Sequence, residues 1–204
     1  MAATASAAKT APGTRERLVR TASRLMQHGG YENTPVKQLV REAEATLGSL
    51  YHFFPGGKQE LAVAAVHFGN EEFADQLRTG LDADPDPARA VEAVTALLAE
   101  TLEASDWRDG CPVTATALET IGRLPELQAA CARAFLDWQE LVAAKLLASG
   151  VPEPEARDLA VTVIATLEGA EMTAQVTQSR TPLLLAGRHL GRLLASYAMA
   201  GVTD

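Results

Sequence analysis

Cysteine is scarce in this 204-residue chain: only Cys111 and Cys131 occur, and no leader that would carry them to an oxidising compartment is apparent. The opening MAATASAAKTAPG holds one lysine and no apolar core, so it reads as a disordered arm rather than a signal peptide. Reduced thiols in a cytoplasm are the expectation. Both cysteines read first as small core residues, although Cys111 beside Pro112 is placed for a helix N-terminus, where a thiolate is favoured. Long apolar runs are missing too; none approaches the roughly 18 residues that span a bilayer, so no membrane partner is expected. His28, His52, His67 and His189 are scattered, with no HExxH and no CxxC, which argues against a metal site. Neither a phosphate-cradling glycine loop nor a nucleophile elbow is present, so neither cofactor nor catalysis is expected.

Basic charge is short overall but unevenly placed. The net charge is −8, yet residues 1–60 hold 8 Lys/Arg against 5 Asp/Glu, leaving the other 144 residues strongly acidic. Only the N-terminal part suits a polyanion, and the acidic remainder is not expected to lie along one.

Strand-like alternation is also absent. Alanine and leucine dominate, and prolines fall where helices start. The pattern predicts an all-α chain of nine helices. The first runs from about Thr14 to His28, and a long one from Lys58 to about Arg78. Others span Pro87 to Ala104, Pro112 to Gly122, Pro125 to Ser149, about Glu155 to Gln178, and Thr181 to near Ala200.

The remaining two helices lie in TPVKQLVREAEATLGSLYHFFPGGK, from Thr34 to Lys58. Thr34 offers an N-cap hydroxyl and Pro35 a first helical residue; Val36, Leu39, Val40 and Ala43 give an apolar face. After a weak turn at Glu44-Ala45, Thr46 caps a second helix with Leu47, Leu50 and Phe54 as the expected buried stripe. Gly48, Ser49 and His52 are left on the opposite side, small and polar enough to approach base edges, with Tyr51 between the faces. This is the layout of a helix-turn-helix, which lays its second helix in a major groove.

The run GSLYHFFPGGK resembles the recognition helix and following turn of the TetR family of ligand-responsive repressors, in the form seen in drug-responsive LmrA-like and QacR-like members. Residues 14–60 match such a DNA-binding domain in order and spacing. Behind the arm read over 1–13, the resemblance implies a DNA-binding domain over 14–60 and a ligand-binding and dimerisation domain over 61–204. It further implies phosphate contacts from Thr34 and Lys37, groove contacts from Ser49 and Tyr51, and backbone contacts from His52 and Lys58. Two positions depart from the family pattern: Glu44 stands where glycine is common, and Leu47 where a basic residue is common. They favour the alternative of a dimeric helical ligand-binding protein with a vestigial helix-turn-helix.

Two features point to a homodimer. Thr166, Gly169, Ala170, Thr173 and Thr177 form a lane of small side chains, and Gly187 and Gly191 lie one turn apart beside Leu184, Leu190 and Leu194. A symmetric dimer would read a palindromic operator. GCPVTATALE from Gly110 and LEGA from Leu167 resemble motifs of the same repressor subgroup. Glu168, Glu171, Gln175 and Gln178 recur along one side of an apolar helix, read either as a solvated face or as a pocket wall. In the pocket reading the carboxylates pair with a cationic effector, while Trp107, Phe135, Trp138 and Met172 stack on a flat hydrophobic one.

Overall fold

The computed structural model describes residues 12–200, with side chains through Tyr197. Nine α-helices and no strand occur among them. They are α1 (Thr14–Gly29), α2 (Val36–Glu42), α3 (Leu47–Phe53), α4 (Lys58–Asp82), α5 (Pro87–Ala104), α6 (Thr114–Thr120), α7 (Pro125–Ala148), α8 (Glu153–Thr177) and α9 (Thr181–Ala200). The arm expected over 1–13 lies outside the described residues except for Pro12 and Gly13.

Local chemistry accounts for most starts. Asp86 caps α5 by accepting from the Ala88 N–H at 2.9 Å, with Pro87 as the first helical residue. Pro125 is likewise the first residue of α7, there without a side-chain cap. At α4 the Gly56 N–H donates to Glu60 Oε2 at 2.8 Å, and Gly57 takes φ 67°, a left-handed conformation that glycine adopts without steric cost. Two boundaries differ from expectation. Helix α4 continues to Asp82, because Leu77 and Leu81 keep its apolar face buried past Arg78. Helix α6 begins at Thr114 rather than Pro112, since Pro112 instead packs on Gly69 of α4, where a Cβ would lie 2.8 Å from the proline ring.

Helices α1, α2 and α3 close over Leu18, Ala22, Met26, Leu39, Leu50 and Phe54. Behind them α4 runs from this unit into the larger bundle, packing on α1, α5 and α7. Trp138 of α7 fills the bundle centre, fully buried, its ring 4.4 Å from that of Phe73 and its Nε1–H donating to the Asn70 carbonyl at 3.3 Å. Truncating such a side chain to alanine costs about 3–5 kcal/mol.

The small-residue signal divides between two roles. Gly187 and Gly191, expected beside a dimer partner, face α5 of the same protomer: a Cβ on Gly187 would overlap Thr95, and one on Gly191 would meet Glu92 and the Ala88 carbonyl. Leu190 and Leu194 are likewise core residues, leaving Leu184 as the exposed member of that face. On α8, by contrast, nothing lies within 4 Å of a Cβ on Gly169, and Thr173 and Thr177 are exposed with their hydroxyls donating to carbonyls one turn back. Val161, Met172 and Val176 continue this open apolar face; Val176 is 79% exposed.

Candidate DNA-binding face and effector cavity

Helix α3 presents a polar and aromatic surface. The Thr46 hydroxyl accepts from the Ser49 N–H at 3.0 Å and lies 2.9 Å from Ser49 Oγ, so cap and side chain form one small unit. Gly48, Tyr51 and His52 are exposed, Ser49 is half-buried, and Lys37 projects from α2 into solvent. Two expectations need correction here. Leu47 is 44% exposed and is no part of a buried stripe, because only Leu50 and Phe54 point inward at this end of so short a helix. Thr34 is 1% exposed with its hydroxyl donating to the Gly30 carbonyl at 2.8 Å; it neither caps α2 by its side chain nor offers that side chain to a phosphate. Tight folding of the chain after Gly30, itself at φ 75°, directs the threonine inward.

Phe53, 37% exposed beside His52, and the exposed Arg41 of α2 also belong to this surface, and sequence reasoning passed over both. Arg41 was within reach as a basic residue of the helix-turn-helix. Lys58 is half-buried, its ammonium 4.2 Å above the Tyr31 ring centroid. Burial lowers its pKa from the ordinary lysine value, opposed by Glu32 and Glu119.

The turn between α2 and α3 holds Glu44 at φ 48°, a left-handed conformation costing a non-glycine residue about 1–2 kcal/mol. Arg17 of α1 holds it there, donating from Nε to the Ala43 carbonyl at 3.0 Å and from Nη2 to the Glu44 carbonyl at 3.2 Å. The arginine thus satisfies carbonyls that the turn would otherwise leave to water.

The other end of α1 meets the loop before α6. Gln27 donates to the Gly110 carbonyl at 2.6 Å, and His28 pairs with Asp109. Nearby, Glu119 of α6 accepts from the Glu32 N–H at 3.0 Å, and Arg123 pairs with the Glu32 carboxylate at 2.7 Å. The absence of a side chain on Gly30 lets Glu119 approach that closely. Exposed pairs of this kind contribute less than about 1 kcal/mol each. Their effect is positional: they register the N-terminal unit against α6.

Behind the same loop lie two adjoining cavities. One, of about 360 Å³, is walled by residues including Gln27, Phe73, Leu98, Thr101, Gly110 and Glu171. The other, of about 140 Å³, is walled by Cys111, Thr114, Leu118, Glu168, Met172 and Gln175 together with Gln27, Gly110 and Glu171. Four of the residues expected to hold an effector, Glu168, Glu171, Met172 and Gln175, are thus brought together on α8. Gln178 is not; it is the exposed, left-handed residue that ends the helix.

The aromatic part of the expected set is elsewhere. Trp138 is core, and Phe135 stacks edge-on against it at 5.2 Å; neither lines these cavities. Trp107 sits in the turn after α5 at φ 61°, its N–H on the Leu102 carbonyl, and lines neither cavity. A large aromatic at helical spacing is a core residue before it is a ligand platform, and Trp138 has its own acceptor in the Asn70 carbonyl. Gln27, Phe73, Leu98 and Thr101, which do line the space, come from three other helices, so no local pattern announced them.

Electrostatics in the smaller cavity are one-sided. Burial, followed by repulsion from Glu168, raises the Glu171 pKa to about 8. Burial also raises Glu168, whose carboxylate accepts a hydrogen bond from the Thr114 hydroxyl and lies close to the Cys111 thiol. Cys111 itself lies before α6 rather than at its N-terminus, and burial with the two carboxylates pushes its thiol well above the ordinary value. The thiolate-favouring setting expected for it is therefore not found. Cys131 is buried in α7, its thiol pushed up to about 11 by burial.

Residues 18–65 match the family model described as bacterial regulatory proteins, tetR family, and residues 87–189 match that of the transcriptional regulator LmrA/YxaF-like, C-terminal domain. The chain is 35% identical to the uncharacterized HTH-type transcriptional regulator YxaF of Bacillus subtilis, covering 86% of this chain and 92% of the relative. It is 33% identical to the HTH-type transcriptional regulator LmrA of the same organism, over 83% and 90%. Among solved structures, a TetR transcriptional regulator from Chloroflexus aurantiacus superposes with a TM-score of 0.75 at 28% identity, covering 89% of this chain and 94% of that one. One from Legionella pneumophila superposes at 0.78 and 18% identity, over 90% and 98%, a likeness of fold.

Proposed function

The chain belongs to the TetR family and is a DNA-binding transcriptional regulator rather than an enzyme, and from that premise we propose that it is a homodimeric repressor released from a palindromic operator by a small effector. The observation that carries this reading is the Gln27–Gly110 contact: one residue of α1 both lines the effector cavities and anchors the N-terminal unit to their wall. An occupant that displaces the loop at Gly110 alters how α1 is held.

Residues 14–60 form the DNA-binding domain in this reading and 61–204 the effector and dimer domain. Gly48, Ser49 and Tyr51 meet the major groove, while Lys37, His52 and Lys58 meet phosphates, with Arg41 and Phe53 added by their exposure. The open face of α8 joins two protomers so that their α3 helices enter successive major grooves. The effector is a small hydrophobic or aromatic molecule, and the buried carboxylates suit a cationic one. Binding shifts α4 and α1 toward a spacing that no longer fits the operator, and operator must then weaken effector binding by the same factor. No helix among the described residues is long and apolar enough to cross a membrane, and the cytoplasm is the compartment in which the regulator works.

Fluorescence anisotropy against DNA from the upstream region of its own gene, at two salt concentrations, tests the reading. Tight, competitor-resistant binding that weakens with salt is expected, because phosphate contacts release counterions. Ser49→Ala then changes base preference, whereas Lys37→Ala lowers affinity across sequences. Binding that is absent or purely nonspecific at both salts overturns the autoregulated-repressor reading.

A further inference from the structure

Three metal-type donors converge beside the smaller cavity: the Cys111 thiol and the Glu168 and Glu171 carboxylates, with donor atoms all within 4.8 Å of one another. Cys111 comes from the loop before α6, and the carboxylates lie three residues apart on one side of α8, so the fold alone brings them together. Glu171 is 5% exposed, and its Oε2 is buried with no hydrogen-bond partner. Glu168 Oε1 is likewise buried and unpartnered, although its other oxygen accepts from the Thr114 hydroxyl. Among the described residues no lysine or arginine lines the cavity to balance two carboxylates. Buried acceptors so placed need a proton or a cation.

We propose that Cys111, Glu168 and Glu171 form a binding site for a borderline-soft divalent cation of the zinc type. One sulfur and two carboxylate oxygens suit such an ion better than magnesium or calcium, which prefer all-oxygen shells. Zinc bonds of about 2.0–2.3 Å require the donors to draw closer than the 4.8 Å within which they lie. Thr114 orients Glu168 from outside the coordination sphere. The fourth position opens on the 140 Å³ cavity beside Leu118 and Met172, so the ion keeps a place for an exogenous ligand. The site rests on this cluster and not on the cavity holding an organic effector; failure of metal binding therefore leaves the repressor reading standing.

The full-length protein, stripped with chelator and kept reduced with a phosphine, is titrated with Co²⁺ alone and then with Zn²⁺. One Co²⁺ per chain is expected, with a thiolate-to-cobalt charge-transfer band that equimolar Zn²⁺ removes. Cys111→Ser abolishes the band and Cys131→Ser retains it. Glu171→Gln and Glu168→Gln each weaken binding by more than about tenfold, and Thr114→Val by about 10- to 100-fold. Absence of the band, a band that depends on Cys131 instead, or unchanged affinity in both glutamine variants overturns the proposal.

Discussion

Replacing Glu171 by glutamine should stabilise the metal-free protein, and by an amount that depends on pH. Glutamine has the shape of the protonated acid but never ionises. The folded-state pKa is raised from an ordinary 4.5 to about 8 by burial and by Glu168, so the folded chain holds a proton that the unfolded chain releases. Below pH 4.5 both states carry it and no difference arises. As pH climbs, only the unfolded state gains from ionising, and wild-type stability falls until the folded group also ionises near pH 8. At about 1.4 kcal/mol per unit, the wild type is disadvantaged by less than about 1 kcal/mol at pH 5, about 3 kcal/mol at pH 7 and about 5 kcal/mol well above pH 8. For a domain of this size, about 3 kcal/mol corresponds to a melting shift of roughly 6–12 °C. Thermal unfolding of both proteins at pH 5, 7 and 8.5, with chelator and at fixed protein concentration, measures it. A gap between the two proteins that does not widen with pH would refute the assignment of a buried, proton-holding Glu171.

Glu44→Gly relieves the left-handed strain at φ 48° but frees the unfolded chain, so stability changes by within about 1 kcal/mol. Its larger effect is on DNA, where loss of the acid tightens binding at low salt and the advantage fades as salt rises; equal affinity at low salt would place Glu44 away from the phosphates. Arg17→Met releases the Ala43 and Glu44 carbonyls and lowers stability by about 1–3 kcal/mol, read by denaturant unfolding. No loss would mean the turn holds itself. Gly187→Val collides with Thr95 and costs about 1–3 kcal/mol of protomer stability, whereas Gly169→Leu leaves the protomer fold intact and lowers the dimer fraction in sedimentation. An unchanged dimer would remove the α8 lane from the interface.

How far the sequence alone could be read depended on how local each signal was. Asp86-Pro87, Pro125 and Thr181 mark helix starts within two residues of where they occur, because caps and prolines act on their own neighbours. Pro112 misled for the opposite reason: it packs on Gly69, a residue far away in the chain, and α6 starts later. Along α8 the spacing of Glu168, Glu171 and Gln175 was visible, but the choice between solvent and cavity was settled by α1 and the α5–α6 loop closing over it. The meeting of Cys111 with those carboxylates left no spacing to notice. Gly187, Gly191 and Gly169 look alike as letters, and only the neighbour each meets, α5 or open space, tells them apart. The two short helices between Thr34 and Lys58 followed from cap, turn and apolar spacing, whereas the burial of Thr34 followed from the path of the chain after Gly30.

Helix α1 is gripped at both ends, by the Gly110 loop at Gln27 and by the turn carbonyls at Arg17. The two grips are ten residues apart, so the rod between them is about 15 Å long. A sideways push of about 1 Å at the loop end, with Arg17 as fulcrum, tilts that rod by roughly 4°. In the effector reading proposed above, a molecule entering the cavity works a short lever whose far end holds the corner between α2 and α3.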